Sequence, residues 1–335
     1  MKAVGYTAYL PVEDERSLID LNLPAPAPGA RDLLIRIQAV SVNPRDVKSR
    51  QGLPATPDAP MVIGYDASGI VEETGAGVTL FQPGDEVFYA GVLNRPGSNA
   101  EFQLVDERIV GRKPATLDHA TAASLPLTAL TAYEMLFDRL AVERNAAAPR
   151  SLLILGGAGG VPSMAIQLAR HAGLTVVATA ARAESEKWVR ELGAQHVVDH
   201  SRPLAEQIRQ LGIGDIDYVF STHTNAAVWS EIAKIIAPQG RFGLIDDPEP
   251  LDLRVFKAKS VSIHWEAMFT RPMLQTPDMI RQHEILTEIA GLVDTGAIRA
   301  TATQNLGVIN AANLRKAHAL IESGKTIGKI VLAGF

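Results

Sequence analysis

The residues with the most legible chemistry stand together at Gly156, Gly157, Ala158, Gly159 and Gly160. Backbone N–H groups at the start of a helix can face a pyrophosphate only where side chains are absent, and a glycine cluster supplies that absence. Gly157 and Gly159 fill the first two glycine positions of a GxGxxG pattern, and Pro162 stands at the third. Proline has a side chain, but in a first helical turn its missing N–H would have no intrahelical partner, so the motif is altered without being broken. About 20 residues beyond such a turn, a carboxylate usually bonds the ribose hydroxyls of NAD. The stretch Ala178 to Ala183 holds no acid and one base, Arg182. A carboxylate there would repel a 2′-phosphate, whereas a guanidinium pairs with it through charge-assisted hydrogen bonds. The pattern predicts NADP(H); the alternative for Arg182 is a solvated residue opening the next helix.

Positioning that turn requires a strand before it and a helix after it. Leu152 to Leu155 form a short apolar run, and Val161, Ala165, Leu168, Ala169 and Ala172 follow helical spacing. Gly173 then ends the helix and Thr175 to Ala178 resume strand character, completing a βαβ unit. Further strands are expected at His196 to Asp199, Tyr218 to Ser221, Arg241 to Ile245 and Ser260 to Trp265, with helices at Glu184 to Leu192, Leu204 to Leu211 and Ala227 to Ile236. Six strands in this alternation make a doubly wound parallel Rossmann sheet. Ser221 with Thr222 and His223, and Ile245 to Asp247, then fall at carboxyl ends of strands, where ligands of such sheets bind; His223 is otherwise a loop histidine.

Before the Rossmann segment the chain reads as short β-runs divided by turns: Lys2 to Gly5, Asp32 to Val42, Gly69 to Glu73, Asp85 to Tyr89 and Glu101 to Val105. A helical pattern spans Pro126 to Leu140. After the Rossmann segment come two amphipathic helices, near Met279 to Thr295 and Ala311 to Ser323, and a last strand, Lys329 to Leu332, for which the N-terminal β-rich sheet is the candidate partner. The expected division is residues 1–124 with 267–335, and 125–266.

Composition narrows the function. With 335 residues, two domains are expected. The absence of cysteine removes disulfides, cysteine zinc sites and thiol nucleophiles together. A net charge of −5 spread along the chain offers no basic field for nucleic acid. No 18-residue apolar run and no leader pattern occur, so a soluble, cytoplasmic protein acting on a small molecule is expected.

Several short stretches, in this order and spacing, carry a resemblance that covers the whole chain: Ser41-Val42-Asn43-Pro44-Arg45-Asp46, Gly64-Tyr65-Asp66-Ala67-Ser68-Gly69, Gly97 to Phe102, Leu125 to Thr128, the glycine turn, and Gly324 to Lys329. The chain resembles the medium-chain dehydrogenase/reductase superfamily, most of all its quinone oxidoreductase branch and the zinc-type alcohol dehydrogenase-like proteins. That resemblance implies a Rossmann domain inserted into a β-rich, GroES-like catalytic domain. It also implies a homodimer paired through the edge strand Ser260 to Trp265.

The alcohol dehydrogenase branch places a catalytic cysteine where this chain has Asn43, and Gly-His-Glu where it has Gly64, Tyr65 and Asp66. A catalytic zinc needs three Cys, His or carboxylate ligands, so no metal is expected. Carried over by resemblance, Asn43 hydrogen-bonds the substrate oxygen or simply turns the chain before Pro44. Tyr65 donates its proton to a developing oxyanion or packs as an aromatic wall. Asp66 is a buried structural carboxylate. Thr128 approaches the nicotinamide or opens a helix. Lys48 and Arg50 either attract an acidic substrate or are solvated loop cations. At the cofactor the resemblance implies Gly157, Gly159, Gly160, Val161 and Pro162 on the pyrophosphate, Thr179, Ala181 and Arg182 at the adenosine ribose, His200 near its phosphate, and Lys329 reaching in from the C-terminus. Ala181 replaces a serine of many relatives and loses one phosphate contact.

Without zinc, a plain ketone lacks the Lewis acid that carries alkoxide charge, whereas a quinone or α,β-unsaturated carbonyl spreads it through its π-system. The expected activity is therefore NADPH-dependent reduction of such acceptors. The alternatives are zinc-type alcohol dehydrogenation and a non-catalytic NADPH-binding sensor.

Overall fold

A computed structural model describes residues 1–335. The chain divides into two compact units, Met1–Leu130 with Phe269–Phe335, and Thr131–Met268. The change of unit falls inside the helix Pro126–Tyr133.

The first unit is built on the strand Asp32–Val42, whose Leu33, Ile35, Ile37, Val40 and Val42 are buried. This strand pairs antiparallel with Ala67–Thr74, Phe102–Asp106 and Lys329–Ala333. The last strand thus joins the N-terminal sheet, the candidate partner named from the sequence. The rest of the seven-stranded sheet is Ala302–Asn305 beyond Lys329–Ala333, with Glu86–Tyr89 and Val110–Arg112 beyond Ala67–Thr74. A second, three-stranded sheet centres on Lys2–Tyr6.

The helix Pro44–Gly52 was not anticipated, and it corrects the reading of Arg50. Lys48 is exposed, but Arg50 is only 1% exposed. The Arg50 guanidinium donates to Leu10 O at 2.5 Å and to His318 Nδ1 at 3.4 Å, and pairs with Glu322. Burial, with the Arg50 charge adding to it, pushes the His318 imidazole down to about 3, so it stays neutral and can accept from Arg50.

The second unit holds six parallel strands in the order His196–Val198, Thr175–Thr179, Ser151–Ile154, Ile216–Ser221, Ile236–Leu244, Ser262–Trp265. In chain order this is 3-2-1-4-5-6, the arrangement of a doubly wound dinucleotide-binding sheet. Near-continuous apolar runs, such as Leu152, Leu153 and Ile154 at 0% exposure, are what a parallel sheet covered on both faces requires. Helices Gly160–His171, Ala183–Glu191, Leu204–Gln210 and Ala226–Ile235 supply the crossovers.

The helical stretch predicted to Leu140 changes character at Glu134, where a π-helical turn runs to Arg139 and Leu140 N–H bonds Met135 O. Gly243 makes room for it, since a Cβ there would lie 2.2 Å from Met135 Sδ. Within the same unit, burial and the neighbouring Glu134 raise the Glu266 carboxyl against the pull of Arg139.

Arg50→Met removes one partner of a buried ion pair and strands two acceptors. Urea unfolding should show a loss of about 3 kcal/mol, with Glu322→Gln costing less because Glu322 retains solvent contact. Equal stability of Arg50→Met and wild type would contradict the assignment.

Candidate active site and dinucleotide turn

At the end of the first strand of the parallel sheet, the chain reverses at Gly156, which takes φ +77°, a left-handed conformation that favours glycine. A Cβ at Gly156 would also meet Thr222 Oγ1 at 2.5 Å. The Gly156 N–H donates to Thr179 Oγ1 at 2.9 Å, and its carbonyl accepts from Gly159 N at 3.0 Å. Gly157 N–H donates to Thr179 O at 3.2 Å, and a Cβ at Gly157 would stand 3.1 Å from Ala178 Cβ and Val189 Cγ1. A side chain at Gly157 would therefore crowd the second strand and Val189, while Gly156, outside the motif positions assigned from sequence, makes the turn itself. The signal that marks it is the end of the apolar run at Leu155.

Gly159 is the N-cap of the helix Gly160–His171 in an extended conformation without a side chain. Gly160, Val161 and Pro162 are its first three helical residues. The first four N–H groups of a helix have no partner within it, so Pro162 sacrifices no intrahelical bond at this position. Ser163 Oγ donates to Gly159 O at 2.7 Å and accepts from Trp188 Nε1 at 2.8 Å, tying the helix start to the next helix.

The other expected cofactor residues are in several situations. Thr179 is 1% exposed, and its hydroxyl oxygen clamps the turn. Ala181 and Arg182 are exposed where the second strand gives way to the helix Ala183–Glu191, with Arg182 at its N-cap. His200 is exposed in the turn after the third strand. Ser221 is buried and accepts from Thr224 Oγ1 at 2.8 Å, which also reaches Asp246 at 2.9 Å. Ile245 is half-buried beside it, its N–H on Ser221 O. Ser221 and Thr224 thus link the ends of the fourth and fifth strands.

In the first unit a second group of residues converges on Asn43, which ends the strand Asp32–Val42 and caps the helix Pro44–Gly52. Its extended backbone, φ −124° and ψ 158°, is what a following proline imposes. Asn43 Nδ2 donates to Asp66 Oδ2 at 2.8 Å, and Asn43 Oδ1 accepts from Lys329 Nζ. Lys329 Nζ also donates to Asp66 Oδ2 and to Val42 O, each at 3.0 Å. The other Asp66 oxygen accepts the Leu127 N–H at 2.8 Å, from the first turn of the helix Pro126–Tyr133. Asn43, Asp66 and Lys329 are all at most 3% exposed. Lys329, expected at the cofactor, instead spends its three N–H bonds on this cluster.

At two further residues the packing takes the second of the expected alternatives. The Tyr65 hydroxyl donates to Ser49 Oγ at 3.0 Å, and its ring meets Phe269 edge-on at 5.5 Å between centroids. Burial raises its pKa as well, so the side chain is an aromatic wall, not a presented proton donor. Thr128 is buried and donates back to Leu125 O at 3.0 Å, the geometry of a hydroxyl serving its own helix.

Asp46 was missed as a member of the site. It is 1% exposed, and one of its oxygens accepts the Asn43 backbone N–H at 2.6 Å. Burial pushes its carboxyl up to about 7; the Asn43 N–H and Lys329 oppose this, and Asp66 adds to it. Burial raises Asp66 too, against Lys329, the Leu127 N–H and the Asn43 amide. One ammonium thus faces two carboxyls, and the second holds a proton into the neutral range. No group of three His, Cys, Asp or Glu side chains is placed to hold a metal ion.

Comparison with known proteins places these sites in context. Residues 29–115 match the alcohol dehydrogenase GroES-like domain and residues 192–332 the zinc-binding dehydrogenase domain. The chain is 41% identical to a zinc-type alcohol dehydrogenase-like protein of Staphylococcus aureus, over 99% of both chains. It is 38% identical to an NADPH-dependent alkenal/one oxidoreductase of Arabidopsis thaliana, over 62% of this chain and 54% of that one. A crystal structure from Rhizobium etli CFN 42, provisionally described as a zinc-dependent alcohol dehydrogenase, superposes with a TM-score of 0.96 at 57% identity, covering 100% of this chain and 98% of the other.

The Asp46 shift has a thermodynamic consequence. Between the unfolded carboxyl value near 3.8 and the folded value of about 7, the folded state binds the extra proton, so stability falls as pH rises through that window and is level above it. Asp46→Asn keeps the acceptor for the Asn43 N–H without the charge. Its unfolding free energy should lose this pH dependence and exceed that of wild type at pH 8 by up to about 4 kcal/mol. A wild type whose stability rises from pH 4 to pH 7 through this group would contradict the assignment.

Proposed function

The chain belongs to the medium-chain dehydrogenase/reductase superfamily, and we propose that it is an NADPH-dependent reductase delivering a hydride to a quinone or an α,β-unsaturated carbonyl without a metal. The observation that carries this reading is the lysine ammonium seated between Asn43 and Asp66. A catalytic zinc takes three ligands of Cys, His or carboxylate type and keeps a fourth position open. At the positions that would supply them, Asn43 is an amide spent on Lys329 and Asp66, Tyr65 is turned to Ser49, and both Asp66 oxygens are engaged by N–H donors. The donor set does not fit zinc, and the local positive charge is already supplied by Lys329.

The glycine turn and Arg182 fit NADP(H). Backbone N–H groups at Gly160 and Val161 stand at a helix start whose N-cap, Gly159, has no side chain, and no acid follows the second strand to repel a 2′-phosphate. The cofactor supplies the hydride; the protein supplies position and polarity. In reduction of an enone the hydride goes to the β-carbon, charge collects on the carbonyl oxygen, and a proton from water completes the product at the α-carbon. Asn43 is the group proposed to hydrogen-bond that oxygen. The similarity to the alkenal/one oxidoreductase supports the same acceptor class. The edge strand Ser262–Trp265, with Trp265 61% exposed, is the proposed seat of a second copy in a homodimer.

The test is NADPH oxidation with a panel of quinones, enones, simple aldehydes and alcohols. The expected outcome is turnover of the conjugated acceptors alone. Turnover of simple alcohols only after zinc is added would overturn the proposal, and tight NADPH binding with no acceptor reduced would favour a sensor. Arg182→Glu should lower the NADPH/NADH ratio of kcat/KM by about 10- to 100-fold; an unchanged ratio would remove Arg182 from the site.

A further inference from the structure

Arg45 follows Asn43 and Pro44 in the first turn of the helix Pro44–Gly52. It is half-buried, its Nε lies out of solvent without an acceptor, and its guanidinium makes no hydrogen bond or ion pair. The side chains of Lys2, Arg202, Arg209, Lys257 and Lys316 also lack a protein partner, but all of these residues are exposed. A cation drawn partly out of water without an anion costs stability. Its own helix does not compensate. The residues one turn on, Lys48 and Ser49, are not acids, and a positive charge in the first turn meets the positive end of the helix dipole. The carboxyls of Asp46 and Asp66 are turned to other partners, the Asn43 N–H and the Lys329 ammonium.

Arg45 and Ser49 are four residues apart and so share one face of the helix. Ser49 Oγ accepts the Tyr65 hydroxyl, which brings the Tyr65 ring to that face, and Phe269 meets the ring edge-on. Burial raises the Tyr65 pKa and the nearby Arg45 charge opposes the rise, which places the cation beside this phenol. Pro44 and Lys48 on either side of Arg45 are exposed, so the guanidinium is open to a ligand from solution. Its planar fork of N–H donors matches the two oxygens of a carboxylate. The Tyr65 ring beside it suits a flat, conjugated molecule.

We propose that Arg45 is a specificity residue that binds a carboxylate on the acceptor, so that the preferred substrates are α,β-unsaturated carbonyl compounds bearing a carboxylate group. The carboxylate is held and is not itself changed by the reaction. This rests on the reductase reading of the site.

The test gives the full-length protein NADPH and either trans-4-oxo-2-pentenoate or its methyl ester, the same conjugated acceptor without the charge. In wild type, kcat/KM for the acid should exceed that for the ester by about 10-fold or more. In Arg45→Met this ratio should fall by about 10- to 100-fold, the loss appearing in KM for the acid, and Arg45→Lys should keep part of the preference. Arg45→Met should unfold at or above the wild-type temperature, because an unpaired, half-buried cation has been removed. A wild-type ratio of one or less, reduction of quinones alone, or an unchanged ratio in Arg45→Met would each overturn the proposal. An unfolding temperature lowered by more than about 5 °C would do so too, by making Arg45 a residue of the fold. The phosphates of NADPH are a second source of anionic oxygens, so the NADPH Kd is measured by fluorescence. A tenfold weaker Kd in Arg45→Met would return Arg45 to the cofactor and overturn the proposal. A wild type that reduces no acceptor at all defeats the reductase reading instead. The carboxylate claim is then decided by calorimetry with 4-oxopentanoate, the product of reducing that acid. Binding to wild type that is lost in Arg45→Met would support it, and no binding, or equal binding to both, would overturn it.

Discussion

Burying a charge is tolerated only when it is paired and its hydrogen-bonding capacity is met. At the centre of the first unit a lysine, an aspartate and an asparagine meet this condition together. Three separated parts of the chain depend on it. The strand ending at Val42 gives the ammonium a carbonyl, Asp66 receives the first turn of the helix Pro126–Tyr133 through Leu127, and the strand Lys329–Ala333 brings the cation. If any one part shifts, a carboxylate or an ammonium is left buried without its partner. The C-terminal strand is therefore more than an edge added to a finished sheet.

The same cluster explains why the positions that resemble metal ligands now serve otherwise. An amide and a carboxylate that face a lysine are held by fixed hydrogen bonds, and their polarity is set by the protein alone. Under the proposed metal-free reading, such an environment suits acceptors that disperse their own charge. The second unit makes a complementary provision. Its turn is held by Thr179 and packed by Gly157, leaving the helix start with small residues facing outward and Arg182 beyond the second strand.

Much of this was legible in the sequence, for identifiable reasons. The strand Asp32–Val42 has the length and apolar content that mark a central strand. The six strands of the second unit are short apolar runs bounded by turns, and their alternation with helices leaves few topologies. The terminal strand had only one sheet open to it. The helix Pro44–Gly52 was not legible, because its one aliphatic residue beyond the proline is Val47 and it buries polar side chains, Asp46, Ser49 and Arg50, instead of an apolar stripe. The roles of Lys329 and Arg50 were hidden by distance, since their partners lie 286 and 272 residues away along the chain. Gly156 was passed over because the motif spacing fits Gly157, and what sets it apart in the fold is its positive φ and the closeness of Thr222 Oγ1.

The most direct test of this account is the metal dependence of the reduction. Protein freed of metal by a chelator and shown by elemental analysis to lack stoichiometric zinc should reduce an enone with NADPH at the rate of the untreated protein. Loss of that activity on chelation, with recovery on stoichiometric zinc, would show that the Asn43–Asp66–Lys329 cluster does not do what is claimed for it.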